Sequence, residues 1–243
     1  MAERNAGLAR GAGVSRLDLA ALLARELDGR GEALVAAAPE RTSGGALLAA
    51  AVSSVGNLVL RRSAPDNDHA SIEVARPWLV PALAGVNVHG LAVAVTGLGE
   101  RSPGEAGCMA PASLLGQDCL QRFDTVEKAV DWCAGRPSGG RFALLLADAA
   151  GNAARVLAEG SGRRVDWPRD GVLIGAGPEP VNAALEKACA ARRQIDAAAL
   201  RDVLREAGAS AAAWVLLDPA GARLGFWPGD GSEPGWFAPA EGD

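Results

Sequence analysis

The sequence predicts an α+β protein made of antiparallel sheets with its helices gathered into layers. Two observations carry this reading. Apolar runs of strand length come in pairs separated by tight-turn residues, and helical periodicities fall in blocks near the start, in the middle and after residue 180. Tight turns impose antiparallel pairing, because parallel neighbours need a long crossover. The order helix, strands, helices, strands, helices, hairpin therefore excludes a doubly wound parallel fold.

Each element has its own signal. Ser15 to Leu27 places Leu17, Leu19, Leu22, Leu23 and Leu27 on one helical stripe, with Ser15 and Asp18 in capping-box register. A loop containing Pro39 follows. From Ala46 two β-like runs, "ALLAAAVSS" and "NLVLRR", flank Gly56-Asn57 and read as a hairpin. "APDNDH" reads as an irregular loop. Trp78 to Gly97 reads as a strand pair turning near Asn87 to Gly90, with Pro81 confining its strand to an edge or a bulge. After the glycine-rich "GLGERSPGEAG" come a helix over Ala112 to Arg122 and a second one opened by Asp124 and Glu127 as a capping box. "RFALLLADAAGNAARVLAE" is a hairpin, and "RRVDW" and "GVLIGAG" are expected to extend its sheet. Val181 to Ala207 holds two helices, the second capped by Asp196. "AAWVLLDPAGARLGFWPG" is a last hairpin, and residues 230–243 read as a flexible tail on a single domain spanning 1–243.

Composition excludes several function classes. With 243 residues, 49% hydrophobic and 22% charged, the chain buries a sizeable core. A net charge of -5 and a pI near 5.2 supply no phosphate-neutralising surface, so nucleic acid is set aside as a partner. "MAERNAGLARGAGVSRLD" lacks the apolar core of a secretory signal, and the expected compartment is the cytoplasm. No apolar run reaches the ~20 residues that span a bilayer. Cys108, Cys119, Cys133 and Cys189 lack C-x-x-C spacing and read as reduced, mostly buried residues. His69 beside Asp66 and Asp68 has metal-ligand chemistry, but one loop without a second segment reads as solvated. His89 reads as a turn residue. Neither a cofactor nor a metal is expected. Most of the six tryptophans read as packing residues, with Trp227 and Trp236 open as an interface or a pocket wall.

Taken in order, "GLARGAGVSRLDLAALLARE", the Gly45 segment ending in Arg62, "AGVNVHGLAVAVTGL", "PASLLGQDCLQRFDTVEKAVDW" and "LLLADAAGNAARVLAE" resemble the penicillin acyltransferase-like group of N-terminal nucleophile hydrolases. The resemblance runs from about Gly7 to Gly229. It implies a four-layer αββα sandwich and a cysteine freed as a new N-terminus by self-cleavage, its thiol attacking an amide and its amine taking the proton. In this alignment Gly45 falls on the glycine before the cut and Ala46 on the cysteine. A methyl group performs neither step.

The remaining family positions fall on Arg62, on Asp66 with a one-residue slip, on Asn87, and on Arg192, with Arg193 an equal candidate. Val88 stands in place of a glutamate and Thr96 in place of an asparagine, and the oxyanion segment has no counterpart near "LIGAGPEP". The resemblance thus implies an acyltransferase or amide hydrolase framework that is catalytically degenerate and not self-processed. It would bind a small acyl or amide-like molecule, or pair with itself or a paralogous subunit. The alternative is an active amidohydrolase or acyltransferase with a relocated nucleophile. Ser43, or Thr42 beside it, would then be either that group or a loop hydroxyl, and Cys108 either a thiol activated by the following helix or a buried residue. Ser53 and Ser54 read as turn residues.

Overall fold

"LLAAAV" is apolar on both of its faces, a pattern that suits only a strand covered above and below. The computed structural model places it in a sheet interior. It describes residues 2–19, 33–52, 57–77, 79, 81–98, 110–136, 138–139, 141–159, 162–175, 179–209, 211–229 and 235–239. The first sheet runs β12 (Val172–Gly175), β1 (Ala33–Ala37), β2 (Leu47–Val52), β13 (Ala213–Asp218), β14 (Arg223–Pro228) and β15 (Gly235–Phe237). The second runs β11 (Gly162–Asp166), β10 (Ala153–Glu159), β9 (Phe142–Ala147), β6 (Ala92–Gly97), β5 (Ala84–Asn87), β4 (Ser71–Ala75) and β3 (Val59–Ser63). Neighbours in both are antiparallel. A short parallel pair, β7 (Ala110–Pro111) with β8 (Ser138–Gly139), stands apart.

The sheets face each other through Leu34, Leu48, Ala50 and Val215 on one side and Val74, Val86, Ala94 and Leu145 on the other. Helices cover both outer faces. On the second sheet lie α2 (Ala112–Arg122) and α3 (Val126–Ala134), which bury Leu115, Cys119 and Cys133 against Val93, Leu144 and Val156. The first is covered by α4 (Glu179–Ala190) and α5 (Ala197–Glu206), which bury Leu185, Leu200 and Val203 against Val35, Ala51 and Leu216. The result is the four-layer αββα sandwich. A helix at the start, α1 (Ala2–Ala12), adds a small satellite cluster of Ala9, Leu19 and Leu79.

Several local expectations hold. Ser15 accepts from the Asp18 N–H at 3.0 Å and residues 16–19 are helical, the rest of that helix lying outside the described residues. Asp196 caps α5 through the Ala199 N–H at 2.8 Å. The Ala147–Ala153 and Asp218–Arg223 hairpins form as read, and β5 pairs with β6 around the Asn87 turn.

Others are corrected. β2 and β3 do not form a hairpin: they lie in different sheets, because β2 needs neighbours on both sides while "NLVLRR" has the polar residues of an edge. The partners of β2 are instead β13 and β1, the latter in a stretch read as loop. "GVLIG" does not extend the sheet of β11 but crosses to pair with β1, and Asp170 and Gly171 make the crossing at φ 51 and 70. The cap of α3 is Thr125, not Asp124, which pairs with Lys128 at 2.7 Å. Pro81 precedes β5 rather than lying in it, β4 joins that sheet from a stretch without an assigned strand, and Gly235–Phe237 pairs as β15 within the expected tail.

A buried polar network locks β3, β4 and α2 together. The Glu73 carboxylate, with no exposed surface, accepts from the Arg61 guanidinium at 2.5 and 2.9 Å, the Ser71 hydroxyl at 2.6 Å and the Gln117 amide at 2.7 Å. Gln117 in turn accepts the Ala82 N–H at 2.9 Å. Removing the carboxylate takes the shared acceptor from the half-buried Arg61 and from the buried Ser71 and Gln117 side chains, so Glu73→Ala is expected to cost about 2–3 kcal/mol in urea unfolding. A loss under about 1 kcal/mol would show that the network does not hold this edge.

Candidate functional site

Ala46 sits one residue before β2, at the sandwich end where loop 38–45 and the turns at 88–91, 148–152 and 218–222 gather. Glycines show how tightly they meet. A Cβ on Gly90 would lie 2.3 Å from the Pro219 carbonyl oxygen, one on Gly151 2.5 Å from the Pro39 ring, and one on Gly45 3.0 Å from the Ala220 Cβ. Gly90 and Gly151 also have φ of 82 and 95, which glycine alone adopts without strain. The Ala46 methyl is fully buried and points with Leu48 and Ala50 into the inter-sheet core. Immediately before it, the Thr42 hydroxyl donates to the Gly45 carbonyl oxygen at 2.8 Å. That hydroxyl is therefore seated on the oxygen of the Gly45–Ala46 peptide. Ser43 is exposed and its hydroxyl has no hydrogen-bond partner among the described residues.

Loop 38–45 is held by Arg41, whose guanidinium donates to the carbonyls of Asp170 (2.8 Å), Cys189 (2.8 Å), Arg193 (3.3 Å) and, closely, Arg192. Three of those acceptors lie at or just past the carboxyl end of α4, where orphan carbonyls and the helix dipole favour a cation. The Arg41 carbonyl also accepts the Ile195 N–H at 2.6 Å. Sequence reading passed over this arginine, since its acceptors are backbone atoms about 130–150 residues away.

The family-matched residues are placed as follows. Arg62 lies on the edge strand β3 and donates to the Ala238 carbonyl at 3.1 Å. Asp66 is exposed in the following turn. Asn87 is fully buried: its amide donates to the carbonyls of Leu120 (2.9 Å) and Phe123 (2.7 Å), and its oxygen accepts the N–H groups of His89 and Leu91 at 3.0 Å. Arg192 joins α4 to α5, donating to the Ala188 carbonyl at 2.8 Å and to Glu206 at 2.6 Å. No hydrogen bond or ion pair links any two of these four among the described residues. Thr96 is buried near the far end of β6, with its hydroxyl 3.4 Å from the Gly97 carbonyl.

Other candidates divide in the same way. Cys119, Cys133 and Cys189 are buried. The Cys119 thiol is pushed well up by its hydrogen bond to Cys133 and by burial, with the two sulfurs 3.4 Å apart, and burial raises Cys189 against the opposing pull of Arg41 and Arg192. Cys108, Ser53, Ser54 and Trp78 lie outside the described residues. No group of three His, Cys, Asp or Glu side chains gathers among the described residues. His69 packs edge-on against His89, ring centroids 4.2 Å apart. Trp227 and Trp236 form a T-shaped pair at 5.7 Å, with Arg223 over Trp236.

No protein-family model and no curated relative matches the sequence. Solved structures do. Penicillin V acylase from Agrobacterium tumefaciens superposes with a TM-score of 0.61 at 17% identity, over 85% of this chain and 86% of that one. The fold is that of the N-terminal nucleophile hydrolases. A Caenorhabditis elegans ortholog of N-acylethanolamine-hydrolyzing acid amidase gives 0.64 at 11% identity, over 77% and 93%. A Cys-to-Ala mutant of conjugated bile acid hydrolase from Clostridium perfringens gives 0.63 at 11%, over 84% and 92%. These proteins are named as amide hydrolases, and no helix among this chain's described residues is long and apolar enough to cross a membrane.

Two outcomes follow from the geometry. Arg41→Ala leaves at least three carbonyls unmatched and is expected to lower unfolding stability by roughly 2–3 kcal/mol, with Arg41→Lys recovering less than half because an ammonium cannot span the same acceptors. His69 is held below its ordinary value by burial and by the like charge of His89, against the pull of Asp124 and Asp68. Its unfolded form then binds protons more readily. The associated stability is full above about pH 6.5 and drains away as pH falls through the lower folded value. The urea midpoint should drop on acidification from about pH 7 to about pH 5.5, and His69→Gln should flatten that drop.

Proposed function

We propose that this chain is an amide-hydrolase or acyltransferase relative that neither cleaves itself nor cuts amides by the mechanism of its fold. In this reading it binds a small acyl or amide-like molecule or a partner subunit. The observation that carries it is position 46. A fully buried methyl stands there, with Ala220 packed against the preceding glycine, so neither a nucleophilic atom nor open space beside Gly45 is present. Self-cleavage also requires attack on the carbon of the Gly45 carbonyl. The Thr42 hydroxyl, hydrogen-bonded there, engages the oxygen.

Strand β1, on the amino side of the Gly45–Ala46 peptide, supports the reading in a second way. It is buried along its whole length between β12 and β2, and Arg41 ties its loop to the helix layer. A working N-terminal nucleophile needs its amine free to take up a proton.

Intact mass spectrometry of the purified protein should give one species near 24.6 kDa. Two fragments split within Thr42 to Ala46 would sink the reading. Turnover of an acyl-thioester and amide panel that Cys108→Ala or Ser43→Ala abolishes would replace it with a relocated nucleophile. Ala46→Cys alone is expected to restore neither cleavage nor turnover, because geometry and proton transfer must be rebuilt together.

A further inference from the structure

We propose that the cleft bounded by the edge strands β11 and β12 and by α4 binds a small aromatic carboxylate. It has a volume of about 610 Å3, within the range of small-molecule pockets. Four arginines line it, Arg41, Arg155, Arg164 and Arg169, in a chain that is acidic overall. Two of them are already committed. Arg41 is spent on backbone carbonyls, and Arg155 gives its guanidinium to Asp166 at 2.7 and 3.0 Å and to the Ile174 carbonyl. They fix the floor and lend it positive field.

The other two remain available. Arg164 shares the already neutralised Asp166 and is 60% exposed, while the Arg169 side chain has no hydrogen-bond or ion-pair partner among the described residues. Between them in "RVDWPR" stands Trp167, 48% exposed despite its size, and Pro168 restricts the backbone beside it. An exposed indole flanked by two arginines offers a stacking face with carboxylate donors at its side. Val172 and Leu173 add apolar lining. Asp170 and Glu186 also border the cleft, and their charges oppose a second negative charge on the ligand. The lining therefore favours a monoanion over a phosphate dianion.

This inference rests on the cleft lining alone and not on the reading of Ala46. Calorimetry and tryptophan fluorescence with phenylacetate as probe test it, with phenylacetamide and phenyl phosphate as neutral and dianionic counterparts. Phenylacetate is expected to bind with a Kd of about 1 mM or tighter, at least tenfold better than either counterpart. Arg169→Gln should weaken it about tenfold. Trp167→Phe should remove the fluorescence change while leaving binding measurable by calorimetry. Both side chains are exposed, so thermal melts of the two variants report that the fold is kept. Absence of binding at about 20 mM, equal affinity for phenylacetamide, or an unchanged Kd in Arg169→Gln would each overturn the assignment.

Discussion

The position of everything near Ala46 depends on one cation held by backbone oxygens. Arg41 belongs to the loop between β1 and β2 and binds carbonyls around the end of α4 and one in the crossing from β11 to β12. A single planar donor set thereby joins a sheet, a helix layer and an inter-sheet connection. Hydrogen bonds from a charged donor are stronger than neutral ones, and here they also discharge the orphan carbonyls of a helix terminus. With Arg41 in place the loop has one path, and the register of β2 follows from it: Leu47 pairs with Ala37, and Ala46 turns inward.

That inward turn sets a conflict between stability and chemistry. An active nucleophile needs exposure on one side, polar support and unfilled space, all of which cost packing. At this end of the sandwich the space is instead filled. Ala220 abuts Gly45, Pro219 abuts Gly90 and Pro39 abuts Gly151, so three turns and the 38–45 loop meet at glycines where a Cβ would crowd its neighbour. Asn87 and Asp148, two buried polar residues of the same end, are consumed by backbone groups: Asn87 by four of them, Asp148 by the N–H groups of Val126 and Asn152. A polar group with all its valences met inside the fold stabilises it and has none left for a substrate.

Much of this was legible in the sequence. Local signals gave the helix caps at Ser15 and Asp196, the β9–β10 and β13–β14 hairpins and the layering, because each is decided within a few residues. Pairing beyond that range was not. β1 and β12 meet across more than a hundred residues, and their short apolar runs carry no mark of the partner, so "ALVAA" passed for loop and "GVLIG" for the wrong sheet. The site was legible only as a list of positions. Arg62 and Arg192 look alike in sequence, yet one meets the carbonyl after β15 and the other bridges two helices on an outer layer.

The distribution of satisfied and unsatisfied charge then separates scaffold from surface chemistry. Glu73 with Arg61 and Arg192 with Glu206 are pairs whose partners lie on neighbouring elements, and their work is to hold those elements together. Along β11 and its exit the pattern differs. Two arginines face one aspartate, and a third arginine, two residues after an exposed tryptophan, has no partner among the described residues. Structural economy gives no reason to place a large aromatic ring and spare cations together at a sheet edge. The turns around Ala46 pack closely through Gly45, Gly90 and Gly151, whereas the arginines left over from structural pairing lie beside an exposed indole where β11 and β12 part.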